Sequence, residues 1–162
     1  MSFLTAIAVS AVLLEVPLPG ASRVEYTYHD ASVPPDCHRS YTITATADSV
    51  SVVVDSYGDV VADTSYATDP ADYADMLEGL TAAGLHRVED SYPEGATGFT
   101  SEEIAVFADG EPLVSGRVYN CGGEVYGNLG GDLDAAVEAV RGLVPALSRL
   151  TAPGEVASGE DG

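Results

Sequence analysis

The sequence predicts an α+β domain, an antiparallel sheet of five to seven strands with two helices on one face. Three observations predict it. Valine, isoleucine, threonine and tyrosine alternate with polar residues in several short runs, the period of a half-buried strand. Two longer segments repeat their apolar residues at helical spacing, each behind an aspartate able to cap it. A length of 162 residues, 46 % of them apolar, is enough for one core.

Taken in order, residues 3–14 form an uncharged apolar run of signal-peptide length, too short to span a bilayer comfortably. Gly20, Ala21 and Ser22 offer a cleavage site before Arg23, although no basic residue precedes the run. Two readings of residues 1–22 stay open: a leader that exports the protein or delivers it to the cell envelope, or a buried segment of a cytoplasmic protein. No lipobox cysteine follows the run, so a lipoprotein anchor is not expected. A single α+β domain is expected over residues 23–151, followed by a disordered acidic tail over 152–162.

Strands are expected at Val24-Glu25-Tyr26-Thr27-Tyr28 and at Tyr41-Thr42-Ile43-Thr44-Ala45-Thr46. Residues 50–55 and 60–66 read as a hairpin around Ser56-Tyr57-Gly58-Asp59, with Gly58 available for positive φ. Asp69 then caps a helix over 70–83, with Pro70 at its first position and Tyr73, Met76, Leu77 and Leu80 as its buried stripe. Gly84 ends it. Residues 89–100 are rich in turn formers and read as a surface loop. A second hairpin, 103–108 with 113–119, is expected around Asp109-Gly110-Glu111-Pro112. Asn120-Cys121-Gly122-Gly123 breaks that run. A helix capped at Asp132 follows, with Leu133, Val137, Val140, Val144 and Leu147 as its stripe and Pro145 expected to kink it. Two stretches, 52–85 and 104–143, share the order hairpin, connection, helix, which suggests two hairpin–helix repeats.

Charge bounds the partners. The chain has 26 acidic and six basic residues, a net charge of −20, and every basic residue is arginine. The alternating strands argue against disorder as the explanation. A folded domain this acidic suits surroundings in which salt screens charge to within about 3 Å at 1 M. Lysine is absent while Asp, Ala, Val and Gly abound, which points to a salt-adapted protein from a GC-rich genome. No basic cluster exists to contact phosphates, which excludes nucleic acid and an anionic membrane surface as partners. An unknown protein or a small ligand remains; oligomeric state is not legible.

The stretch richest in chemistry is Ser32-Val33-Pro34-Pro35-Asp36-Cys37-His38-Arg39-Ser40-Tyr41-Thr42-Ile43. Two prolines make a rigid extended spacer that presents a carboxylate, a thiol, an imidazole and a guanidinium in succession. Its bland reading is a rigid loop with a satisfied histidine; its sharp reading is a binding or reactive site. Ser32–Pro35, His38 and Tyr41–Ile43 form the run S-V-P-P-x-x-H-x-x-Y-T-I. This resembles a signature of an uncharacterised family of small bacterial proteins. The resemblance lends no activity. In that family an aromatic residue often precedes the histidine, whereas Cys37 stands here, so a role for Cys37 would be particular to this chain.

Cys37 and Cys121 both sit just outside expected strands. Two cysteines behind an export signal favour a disulfide, worth about 4–5 kcal/mol for so long a loop in the chain-entropy model. Free buried thiols and a reactive or metal-binding thiol are the alternatives. His29, Cys37, His38 and Cys121 have metal-ligand chemistry without zinc-site spacing. No serine-hydrolase elbow, P-loop or dinucleotide fingerprint is present. If the cysteines pair, His38 and Arg39, with Tyr41 behind them, would face the backbone groups of Gly122 and Gly123, a nest for an anion or a peptide. The expected function is a non-catalytic binding or structural domain with no cofactor. The runner-up is a small hydrolase or metal-dependent enzyme centred on His38 with Cys37 or Cys121, and a cytoplasmic partner-binding module comes third.

Overall fold

The structure, a computed structural model, describes Leu18 and residues 20–153 apart from residue 96. Its strands are β1 (Arg23–His29), β2 (Ser40–Ala45), β3 (Ser49–Ser56), β4 (Asp59–Ala67), β5 (His86–Ser91), β6 (Thr100–Ala108), β7 (Glu111–Cys121) and β8 (Glu124–Gly130). They form one antiparallel sheet in the order β4-β3-β2-β1-β6-β7-β8-β5. Helices α1 (Pro70–Ala82), α2 (Leu133–Gly142) and the short α3 (Leu147–Leu150) complete the described residues. None of these helices is long and apolar enough to cross a membrane.

The sheet-rich α+β class is as expected, but there are eight strands instead of five to seven and three helices instead of two. The additional strands are β5 and β8. All six residues of β5 are exposed, so no apolar alternation marks it within the stretch that reads as a loop; β8 holds it in place by pairing. Strand β8 follows β7 through Gly122-Gly123, whose φ angles of +60° and +90° are those of a two-residue type I′ turn. The expected break is therefore a hairpin. Pro145 ends the second helical segment instead of kinking it. Proline has no N–H and disfavours a helical conformation in Val144, so α2 stops at Gly142 and α3 begins anew at Leu147.

Strand alternation sends one set of side chains to the helix face. Tyr26 lies opposite Ile43 on one side and Ile104 on the other, and all three are fully buried. Each such side chain contributes about 1.5–3 kcal/mol by leaving water. Val50, Val52 and Val54 of β3 and Val106 of β6 extend the layer. Against it pack Tyr73, Met76, Leu77 and Leu80 of α1 and Ala136, Val137 and Val140 of α2. A Cβ at Gly79 would lie 3.1 Å from Ala139 Cβ, so a glycine lets the two helices approach closely. The Asp132 N–H donates to Ala83 O at 2.8 Å and ties the end of α1 to the start of α2.

The core reaches back beyond residue 23. Leu18 and Ala21 are buried, Tyr73 Oη donates to Ala21 O at 3.3 Å, and the Ser22 N–H donates to Phe107 O at 2.8 Å. The apolar run at 3–14 and the tail from residue 154 lie outside the described residues.

Candidate functional site

The loop between β1 and β2 folds onto the β3–β4 turn, and His38 joins them. Its ring is buried and stacks on Tyr57, with centroids 3.9 Å apart and planes 21° from parallel. The Tyr57 N–H donates to His38 Nδ1 at 3.3 Å. An Nδ1 that accepts leaves the proton on Nε2, which lies 3.4 Å from Ser40 Oγ and donates to it. That direction matters chemically. A hydrolytic serine needs a base that accepts its proton, and this imidazole faces Ser40 as a donor.

Neighbouring groups are equally occupied. Asp30 Oδ2 accepts the Arg39 N–H at 3.0 Å, and Oδ1 accepts the Ala31 N–H at 2.8 Å. Arg39 donates to the carbonyls of His38 at 2.6 Å, Pro35 at 3.3 Å and Ala152 at 3.2 Å, pinning the loop to the segment after α3. Tyr57 Oη donates to Val33 O at 2.6 Å. Tyr57 has a φ of +53° within a type I′ turn. Such a conformation costs an ordinary residue about 1–2 kcal/mol. The equivalent first positions of the other two two-residue turns, β6–β7 and β7–β8, are Asp109 and Gly122, which tolerate it better. Stacking and two hydrogen bonds hold Tyr57 there.

The other expected site residues are dispersed. Cys37 is an exposed free thiol and Cys121 a half-buried one; the expected bond between them is not formed. Strands β1 and β6 lie between β2, which follows Cys37, and β7, which carries Cys121. Three inter-strand steps make that separation on the order of 14 Å, against at most about 7 Å between the Cα atoms of a disulfide. Gly122 and Gly123 therefore form a hairpin turn remote from the His38 loop, and the expected nest is not assembled. Tyr41 is no part of the loop surface; it is buried on the helix face. Among the described residues no group of three or more His, Cys, Asp or Glu side chains is arranged to hold a metal ion.

A second polar cluster lies beneath the sheet. Arg141, at the end of α2, sets its guanidinium carbon 5.4, 5.9 and 5.7 Å from the ring centroids of Tyr26, Tyr28 and Tyr41. Its Nη2 donates to Tyr26 Oη at 2.8 Å, and Tyr26 Oη donates to Glu102 Oε1 at 3.2 Å. The direct Arg141–Glu102 separation is 3.7 Å, and the Glu102 side chain is only 14 % exposed. Burial, then the neighbouring Tyr41 and Glu102, pushes the Tyr26 hydroxyl far above its ordinary pKa. Tyr28 and Tyr41 are also raised, again chiefly by burial. Arg141 Nε is buried without a hydrogen-bond partner among the described residues.

Sequence reasoning missed this cluster, yet a signal exists. In β6, Glu102 shares the parity of buried Ile104 and Val106, so a carboxylate occupies an inward position. Arg141 stands four residues after Val137 of the buried stripe. A cleft of about 550 Å³ opens beside the pair and is lined also by Asp134, Glu138 and Leu147. Comparison with known proteins gives no matching family model, no matching curated protein and no matching solved structure.

Proposed function

We propose that this is a non-catalytic binding domain of a salt-adapted cell, exported or held in the cell envelope, with a protein or small ligand as partner. One observation carries the reading: His38, the residue best suited to acid–base chemistry, has both ring nitrogens engaged and faces Ser40 as a donor. The competing hydrolase or metal-dependent enzyme needs a histidine nitrogen free to act with Cys37 or Cys121, and neither nitrogen is free. The charge of −20 supports function in salt, and the apolar run at 3–14 supports export. The β3–β4–α1 and β6–β7–β8–α2 stretches are read as two elaborated hairpin–helix units, supported by their positions on either side of the β2–β1 centre.

Hydrolysis of p-nitrophenyl acetate and of a thioester tests the reading, with native protein, with protein alkylated at its thiols, and with Ser40→Ala. The expected result is the same background rate in all three, with two thiols labelled without reductant under denaturing conditions. Turnover lost on alkylation or in Ser40→Ala would overturn it.

A further inference from the structure

We propose that the binding surface of this domain is a groove over the C-terminal end of α2, and that it takes an amphipathic basic peptide segment of a partner protein. The proposal rests on the non-catalytic reading and adds the place and the partner's chemistry. Two clefts flank this end of the helix, one of about 550 Å³ toward the sheet and one of about 490 Å³ toward α1. Glu138, Gly142 and Pro145 line both. Gly142 is exposed, and a Cβ placed on it would meet nothing within 4 Å. The two clefts therefore share this glycine in their lining, and no side chain stands at it between them.

The lining has the chemistry of a peptide groove. Its walls include half-buried Ala139, Leu143 and Leu147, apolar side chains at the margin of the core. Its rim carries Glu102, Asp134 and Glu138 on one side and Asp72 and Asp75 on the other, against the single guanidinium of Arg141. Only Glu102 of these carboxylates is ion-paired among the described residues. Asp72 and Asp134 have a local role, since each lies in the first turn of its helix, where a negative charge complements the dipole. Asp75 and Glu138 have no such role. Thr68 and Arg141, one in the lining of each cleft, each keep one buried polar atom, Oγ1 and Nε, without a hydrogen-bond partner among the described residues.

Charge complementarity selects the occupant. An anion meets five carboxylates at the rim and a chain of net charge −20, whereas Lys or Arg side chains find unpaired acids on both sides. A surface that runs across a helix end between two clefts suits a segment of polypeptide, with apolar side chains seated in the clefts and basic ones on the rim.

The test titrates a synthetic leucine–arginine amphipathic peptide into the isotope-labelled protein and follows amide shifts and fluorescence anisotropy. Shifts should concentrate on residues 134–148 and 68–76, and binding should persist, though weakened, at about 1 M salt. Gly142→Leu, which places a side chain between the clefts without changing charge, should weaken binding about tenfold or more. Glu138→Lys should do the same, whereas Asp59→Lys, an equal charge change on the β3–β4 turn, should not. Thermal unfolding of each variant identifies any that fails to fold. The proposal is overturned by unchanged binding in a folded Gly142→Leu, by equal losses in Glu138→Lys and Asp59→Lys, by equally tight binding of an oligoarginine without leucine, or by occupation of the groove by a second copy of the chain. Cleavage of the peptide would instead defeat the non-catalytic reading and leave the groove standing.

Discussion

The His38 corner and the Arg141 cluster use the same materials, a nitrogenous side chain, tyrosine rings and an acidic neighbour, to opposite ends. At His38 the ring nitrogens, the loop carbonyls and the Asp30 carboxylate are matched by the loop together with the start of β2 and the β3–β4 turn it folds onto. Arg141 joins α2 to β1 and β6 across the core, is left with one nitrogen unpartnered among the described residues and borders an open cleft. The first is a fastening, complete in itself. The second is a fastening with room beside it. A dense run of reactive residue types along a chain is thus a poor guide to where a surface is unfinished.

The comparison breaks most readily at Arg141. Arg141→Met strands the mostly buried Glu102 carboxylate, and because the guanidinium itself is partly exposed the expected loss is about 2–3 kcal/mol in chemical unfolding. Adding Glu102→Gln should recover part of that loss. If the single and double variants are equally unstable, Arg141 acts through packing alone.

Tyr26 sharpens the contrast through pH. Its folded pKa is raised, so its contribution is fully present below the ordinary tyrosine value of 10.0 and is lost as pH rises above it. Stability should therefore fall above that pH by about 1.4 kcal/mol per pH unit from this group. Tyr26→Phe should flatten the alkaline limb of a stability–pH curve; an unchanged slope would show that its hydroxyl has little part in it.

At the other corner the effect should be smaller. His38→Gln removes the stack on Tyr57 but keeps an amide able to accept from the Tyr57 N–H, so a cost of about 1 kcal/mol is expected. Groove binding should be unaffected. A change in peptide affinity would show that the two regions communicate.

Much of the fold was legible because its logic is local. The α1 stripe of Tyr73, Met76, Leu77 and Leu80 is buried as its spacing predicts, and Asp69 caps the helix by accepting the Ala71 N–H at 2.8 Å. Strand β5 was not legible, since its partner β8 and not its own pattern makes it a strand. The site was harder still. Residues 32–43 combine prolines, a cysteine, a histidine and an arginine, and a linear reading assigns them chemistry; hydrogen-bond direction, which turns His38 into a donor, exists only after folding. The Cys37–Cys121 expectation assumed neighbouring loops, and strand order separates them.

Leu18 bears on where the chain could be cut without loss of packing. It is 5 % exposed within the core, beside Ala21, whose carbonyl receives the Tyr73 hydroxyl. A peptidase cutting after Ser22 would detach both residues from the core and remove the acceptor of the Tyr73 hydroxyl. Losing a buried leucine in this way costs about 2–5 kcal/mol, a large share of a small domain's stability. If the run at 3–14 is a cleaved leader, a cut compatible with this packing keeps Leu18 attached, and the N-terminal residue of the purified protein should then lie at or before it.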